Sequence, residues 1–229
     1  MKILCVIPAR GGSKRIPKKN IKDFLGKPII AYSIQTALEC GLFDEVIVST
    51  DCDHIATVAM KCGAKVPFMR PPKVSSDTAT TAEVLLHALC WYAEQHIFWD
   101  YLCCFYPTAP FSTQKKMIEG LEILKKTKAP SVLPVTEFAY PILRSLKINK
   151  TGCVDMNWPE YELTRSQDLP NAYHDAGQFY WINVASFKKD PRLMPKGTLP
   201  LKLPRLQVVD IDTPEDWVTA EILYRLLHK

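Results

Sequence analysis

The chain has 229 residues, 47% of them hydrophobic and 23% charged, enough to bury a sizeable core and within the range of one globular domain. No run approaches the ~18 consecutive apolar residues of a membrane span, and Arg10 and Lys14 come too early for a signal-peptide core, so a soluble, cytoplasmic protein without a membrane partner is expected. The formal net charge of +5 is modest and its cations gather mainly between Lys14 and Lys27, which favours a small polyanion over a long nucleic acid.

In chain order, Lys2 to Ile7 is an apolar run without strict alternation, as expected of a strand buried on both faces of a parallel sheet. A basic, glycine-containing loop follows. Pro28 stands at a first helical position, Ile30, Ile34 and Leu38 recur at fours, and Gly41 provides the stop. The unit then repeats: strand Glu45 to Ser49, a short helix Asp53 to Cys62 ended by Gly63, and a third strand Lys65 to Met69. Thr80 or Thr81 can cap a helix running to about Gln95, Tyr101 to Tyr106 reads as a buried strand, and Ser112 to Lys126 as another helix.

Strands alternating with helices of this length mean βαβ crossovers, hence an α/β fold with a mostly parallel sheet and helices on both faces. From Ser131 the pattern turns β-richer. Ser131 to Val135, a hairpin Ser145 to Asp155 around Asn149 to Gly152, and Gln178 to Ser186 read as strands, and residues 140–180 as a small insertion covering the sheet. The tail closes with a strand Leu206 to Ile211 and a helix opened by Thr213-Pro214-Glu215-Asp216. Eight cysteines lie scattered in apolar segments with no CxxC pair, so they are expected to be free thiols.

Four groups of residues carry candidate chemistry. In Pro8 to Asn20 (PARGGSKRIPKKN), Gly11 and Gly12 let backbone N–H groups approach phosphate oxygens, while Arg10, Lys14, Arg15, Lys18 and Lys19 offset negative charge. The loop has neither the GxxxxGK[ST] nor the GxGxxG spacing, which removes the usual ATPase and dehydrogenase readings. In Val208 to Asp212, an extended backbone would put Asp210 and Asp212 on one face with Cα atoms ~6–7 Å apart, suited to a divalent ion; oxygen-only ligands point to Mg²⁺. The plain alternative is that Asp212 caps the last helix and Asp210 is a surface residue. Arg70-Pro71-Pro72 with Ser75 to Thr81 reads by default as a helix cap. Arg144 and the stretch Arg165 to Tyr180 could hold a polyhydroxylated carboxylate or be structural.

In this order the four pieces resemble the CMP-sugar synthetases, cytidylyltransferases that activate sialic acid and related acid sugars. IPARGGSKRIPKKN is similar to their N-terminal signature, Ser49 to Asp51 and RPP…SSDTATT fall at matching intervals, and VDIDTPED matches their C-terminal acidic motif. The resemblance spans nearly the whole chain. It implies a three-layer, Rossmann-like nucleotidyltransferase fold and a homodimer built through the β-rich insertion.

It further implies that CTP and an acid sugar are the partners and Mg²⁺, with Mn²⁺ as a substitute, the cofactor. Arg10, Gly11, Ser13, Lys14, Lys19 and Asn20 would contact the nucleotide and its phosphates, with Lys14 and Lys19 catalytic; Arg70, Ala79 and Thr81 would enclose the cytosine; Asp210 and Asp212 would hold the metal. Acceptor contacts would come from Tyr106, Arg144, Arg165, His174, Gln178 and Tyr180. Tyr106-Pro107-Thr108-Ala109-Pro110 stands where sialic acid synthetases usually read Gln-Pro-Thr-Ser-Pro, and His174-Asp175-Ala176-Gly177 where they read Arg-Pro-Asn-Gly. Both departures resemble the branch that acts on pseudaminic acid, with N-acetylneuraminic and legionaminic acids as alternative acceptors. A regulator that kept the fold but lost catalysis is a rival from another class, and pyrophosphate release separates the two. A nucleic-acid-binding domain is the weaker rival, because no aromatic-interleaved basic surface is present.

Overall fold

The computed structural model describes residues 1–228. In chain order the elements are β1 (Ile3–Pro8), β2 (Asp23–Phe24), β3 (Lys27–Pro28), α1 (Ile29–Glu39), β4 (Glu45–Ser49), α2 (Asp53–Lys61), α3 (Thr81–Glu94), β5 (Tyr101–Phe105), α4 (Gln114–Thr127), β6 (Ser131–Glu137), β7 (Leu146–Ile148), β8 (Val154–Met156), β9 (Tyr173–Asp175), β10 (Phe179–Asn183), α5 (Val184–Lys189), β11 (Leu199–Lys202) and α6 (Pro214–Leu227). The main sheet runs β11-β6-β10-β5-β1-β4, with β9 also paired to β6. β1 lies parallel to β4 and β5, and β6 parallel to β11; only β10 and β9 run antiparallel to their neighbours.

β1 shows why its sequence lacks alternation. Ile3, Cys5 and Ile7 point into an apolar cluster completed by Ile30 and Ile34 of α1, Ile55 of α2 and Met117, Leu121 and Leu124 of α4. Leu4 and Val6 point into the opposite cluster, with Leu85, Leu89 and Tyr92 of α3 and Val184 and Phe187 of α5. Both faces are therefore covered, giving three layers. A third cluster joins Ile16 of the basic loop to Phe24, Ile29, Phe111, Ile211 and Trp217, so α6 and the first loop share one small core.

Helix starts follow the expected chemistry. Thr80 caps α3 and Thr213 caps α6, each in a reciprocal box with the acid three residues on, Glu83 and Asp216. Thr113 caps α4 by accepting the Lys116 N–H at 3.3 Å.

Three expected elements differ, and one strand stands where none was expected. Residues 65–69 form no strand: Lys65 and Met69 each make a single bridge to β4 and the residue after it, and between them Pro67 has no N–H to offer a ladder. β10 stops at Asn183, whose side chain accepts the Ser186 N–H at 3.0 Å and starts α5 inside the expected strand. Leu206 to Ile211 is not a strand either; a 3-10 turn at Arg205–Gln207 precedes a segment without ladder partners. β11 was not foreseen: it contains Pro200 and only Leu201 of its four residues is buried, too faint an alternation to read.

Nor does the insertion cover the sheet within one chain. β7 and β8 pair only with each other, and Leu146, Ile148 and Val154 are exposed. Only its last strand, β9, joins the main sheet, and β9 and β10 lie along the same edge of β6, interrupted at Ala176 to Gln178. Among the described residues no helix is long and apolar enough to cross a membrane, and all eight cysteines are free.

Candidate active site

A cleft of about 500 Å³ opens where β1 and β5 end at their C-terminal edges, the usual ligand position in an open α/β sheet. Its walls come from the basic loop (Arg10, Ser13, Lys14, Arg15, Lys19, Asn20), from Arg70 and the Val74 to Thr81 segment, from Tyr106 to Thr108 after β5, and from Gly177, Asp210 and Asp212.

The basic loop is braced at several points. The Ala9 N–H bonds the Ser49 carbonyl at 2.9 Å, the buried Asn20 amide donates to the Arg10 carbonyl at 2.9 Å, and Ile16 anchors the middle in the third core. Gly11 gives its N–H to Asp51 Oδ1 at 2.9 Å, and a Cβ there would stand 3.0 Å from the Cys52 Cβ. Gly11 is thus packed against the next βα loop and does not line the cleft, whereas Gly12 has open space around it. Asp51 also faces the Arg70 guanidinium at 3.8 Å, so this carboxylate ties the basic loop to the opposite wall, a role that spacing alone did not show.

On that wall, Arg70 is only 5% exposed and its Nε donates to Ser75 Oγ at 3.1 Å. Burial lowers its pKa, and the Asp51 charge works the other way. Ala79 and Thr81 line the cleft beside it, while Thr80 between them caps α3, so the segment carries both a capping and a lining role.

Four of the loop's five cations meet an acid. Arg10 pairs with Asp77 at 2.6 Å and Lys14 contacts the same carboxylate; the lysine and then the arginine hold Asp77 below the usual carboxylate range. Arg15 and Lys19 pair with the two oxygens of Asp212 at 2.8 and 3.2 Å. Asp77 was legible only as part of a capping segment, and nothing in its sequence surroundings marks it as the counter-charge.

Asp210 differs from Asp212: its carboxylate has no hydrogen-bond partner among the described residues. Although it opens to solvent, desolvation by the cleft walls, followed by the Asp212 charge, raises its pKa, with Lys19 partly offsetting. Gly177 beside it has φ +61°, a left-handed backbone that favours glycine, although a Cβ there would make only ordinary contact at 3.7 Å from Asp210 Oδ1. Two neighbouring carboxylates, one unpaired and held at a cost to its charge, fit a divalent cation. Among the described residues no group of three or more His, Cys, Asp or Glu is disposed to hold a metal, so further ligands would be water and phosphate oxygens.

At the other end, the Tyr106 hydroxyl lies 3.3 Å from Thr81 Oγ1. Tyr180 is buried behind it, edge-on at 5.4 Å, and donates its hydroxyl proton to Asp175. Gln178 is buried and committed: it donates to the Gln207 carbonyl at 2.6 Å and accepts from Ser112 at 3.1 Å, bracing the turn that leads to Asp210. His174 is exposed, edge-on to Phe138. Arg144 reaches Ser166 at 3.5 Å and Arg165 reaches Asp168 at 2.7 Å, both on the exposed insertion. None of these last five side chains lines the cleft of a single chain.

A mostly parallel three-layer sheet with a cationic cleft facing two aspartates at its C-terminal edge defines an α/β nucleotidyltransferase. Within that class the chain belongs to the cytidylyltransferase family, whose model, described as "Cytidylyltransferase", matches residues 4–190. It is 43% identical to the pseudaminic acid cytidylyltransferase of Campylobacter jejuni over 229 residues, covering 100% of this chain and 99% of that one. It is 35% identical to the CMP-N,N'-diacetyllegionaminic acid synthase of Legionella pneumophila, covering 99% and 97%. A solved structure of CMP:2-keto-3-deoxy-manno-octonic acid synthetase complexed with CTP shares the fold at TM-score 0.70 and 18% identity, covering 99% of this chain and 100% of that one.

Proposed function

We propose that the protein transfers CMP from CTP to a nonulosonic acid, pseudaminic acid, releasing pyrophosphate. The observation that carries the reading is the cleft itself: Arg10, Lys14, Arg15 and Lys19 line one cavity together with Asp210 and Asp212, in a chain similar over its full length to a pseudaminic acid cytidylyltransferase. The anomeric oxygen of the acid sugar forms a bond to the α-phosphorus while the bond from that phosphorus to the bridging oxygen of pyrophosphate breaks.

The chain's own residues contribute position and charge. Lys14 and Arg10 are placed to exchange Asp77 for triphosphate oxygens, and Lys19, already oriented by the Ile211 carbonyl at 2.7 Å, keeps one N–H free for the cleft. Arg70, Ala79 and Thr81 form a recess for the base, with Arg70 too buried and braced to follow the phosphates. Tyr106 and Thr108 are left for the acceptor. Asp210 and Asp212 would hold a divalent cation, Mg²⁺ with Mn²⁺ as substitute, which when bound supplies Lewis-acid polarisation of the α-phosphate.

The exposed apolar residues of β7 and β8 support a homodimer in which two insertions cover one another. The alternative acceptors are legionaminic and N-acetylneuraminic acids. Pyrophosphate release with CTP, UTP, ATP and GTP in parallel, each with pseudaminic acid, tests the nucleotide assignment. Release with CTP alone is expected, and equal release with UTP would exclude it.

A further inference from the structure

Three consecutive residues where β4 ends hold both walls of the cleft. The Ser49 carbonyl accepts the Ala9 N–H at 2.9 Å, the Thr50 carbonyl accepts the Arg70 N–H at 2.7 Å, and Asp51 Oδ1 accepts the Gly11 N–H at 2.9 Å. The same Oδ1 stands 3.8 Å from the Arg70 guanidinium. Ser49 and Thr50 are fully buried, so their carbonyls are fixed points. Asp51 itself does not line the cleft.

The two contacts of Asp51 differ in kind. Gly11 needs only an acceptor, which an amide oxygen would supply equally well. Arg70 is held by charge, since 3.8 Å is too long for a hydrogen bond. Its side chain is 3% exposed, and among the described residues Asp51 is the only acid within 4 Å of it. Burial disfavours the Arg70 charge; Asp51 offsets that cost and the like charge of Arg10 adds to it. A guanidinium left buried without its counter-charge is driven toward water, and the neutral Ser75 hydroxyl at 3.1 Å is a weak tether against that. On the loop side, a Cβ at Gly11 would stand 3.0 Å from the Cys52 Cβ, so the loop backbone is seated against the residue that follows Asp51.

We propose that Asp51 is a positioning residue that sets the gap a nucleoside triphosphate must fill, anchoring the phosphate-facing loop through the Gly11 N–H and holding Arg70 at the base recess by charge. The inference rests on the proposed function in taking the nucleotide to lie between Arg70 and the loop. It carries a sign that bare electrostatics does not share. Removing a negative charge beside an anion site tightens a triphosphate, whereas removing a positioning group loosens it.

The test is the Kd of CTP, by isothermal titration calorimetry, for wild type, Asp51→Asn, Asp51→Ala, Arg70→Met and Asp51→Asn combined with Arg70→Met, together with the acceptor KM of each. Asp51→Asn keeps an oxygen for Gly11 and loses the charge; it is expected to raise the CTP Kd about tenfold while the acceptor KM changes less than about twofold. Asp51→Ala loses both contacts and is expected to raise the CTP Kd further. In the Arg70→Met background Asp51→Asn is expected to change the CTP Kd less than about twofold, because its charge acts through Arg70. Melting temperatures within a few degrees of wild type qualify each variant, and the sign of the isosteric Asp51→Asn change decides alone if another variant folds poorly. CTP binding by Asp51→Asn as tight as wild type or tighter, a loss that persists undiminished without Arg70, or an acceptor KM that rises in step would overturn the inference. A wild-type protein that binds CTP but releases no pyrophosphate with any acid sugar would instead overturn the functional reading and leave this inference standing.

Discussion

Lys19 and Asp212 are 193 residues apart in the chain, and their side chains meet at 3.2 Å in the floor of the cleft. The same ammonium donates to the Ile211 carbonyl at 2.7 Å, so two of its three N–H groups are fixed by the segment that carries both aspartates. A lysine held this way is preorganised to meet phosphate charge without rearrangement. Lys19→Ala is expected to lower the rate of pyrophosphate release by about 10²–10³-fold with little change in melting temperature. A variant that retains full turnover would remove Lys19 from the reaction.

Asp210 carries the opposite signature, a carboxylate in the cleft with no hydrogen-bond partner among the described residues and a charge disfavoured by desolvation and by Asp212. A cation relieves that cost, and Asn in its place removes it. Asp210→Asn is therefore expected to lower turnover at least about 100-fold and to abolish the rise in melting temperature expected of wild type with Mg²⁺ or Mn²⁺, since only the folded site would bind the ion. An unchanged metal-dependent shift would place the ion elsewhere.

Asp77 pairs with two of the cations that a triphosphate would use. The pair is exposed, so its effect is small, but it competes directly with substrate. Asp77→Asn is expected to lower the CTP KM by about two- to fivefold and to leave the acceptor KM unaltered, as measured by steady-state kinetics at low salt. A higher CTP KM would mean that Asp77 assists nucleotide binding.

The hairpin offers a check on assembly. Leu146 and Ile148 are 61% and 77% exposed on strands that pair only with each other among the described residues. Leu146→Glu with Ile148→Glu is expected to convert a dimer to a monomer in analytical ultracentrifugation. A wild-type chain that sediments as a monomer would contradict the dimer at once.

Much of this was readable from the residues because local and global signals agree. β1 is apolar on both faces, the basic loop follows it directly, and Thr80 and Thr213 each stand three residues before an acid, so strand, loop and caps reinforce one another. Where the reading failed, a backbone group had a partner that spacing does not reveal. Pro67 cancels a strand whose apolar pattern looks adequate, and the Asn183 side chain takes the Ser186 N–H and ends a strand early. The site's acidic partners were legible as motifs but not as contacts: Asp77 reads as part of a cap, and Asp175 as one residue of a loop, until the fold brings Arg10 and Tyr180 to them.

The central claim, CMP transfer from CTP to pseudaminic acid, is tested most directly by kcat/KM for pyrophosphate release with pseudaminic, legionaminic and N-acetylneuraminic acids and the octulosonate side by side. The account predicts that pseudaminic acid exceeds each of the others by at least about tenfold, the ratio given by one well-placed hydrogen-bonded contact of ~1.4 kcal/mol. Preference for N-acetylneuraminic acid or the octulosonate, or no pyrophosphate release with any of the four, would contradict it.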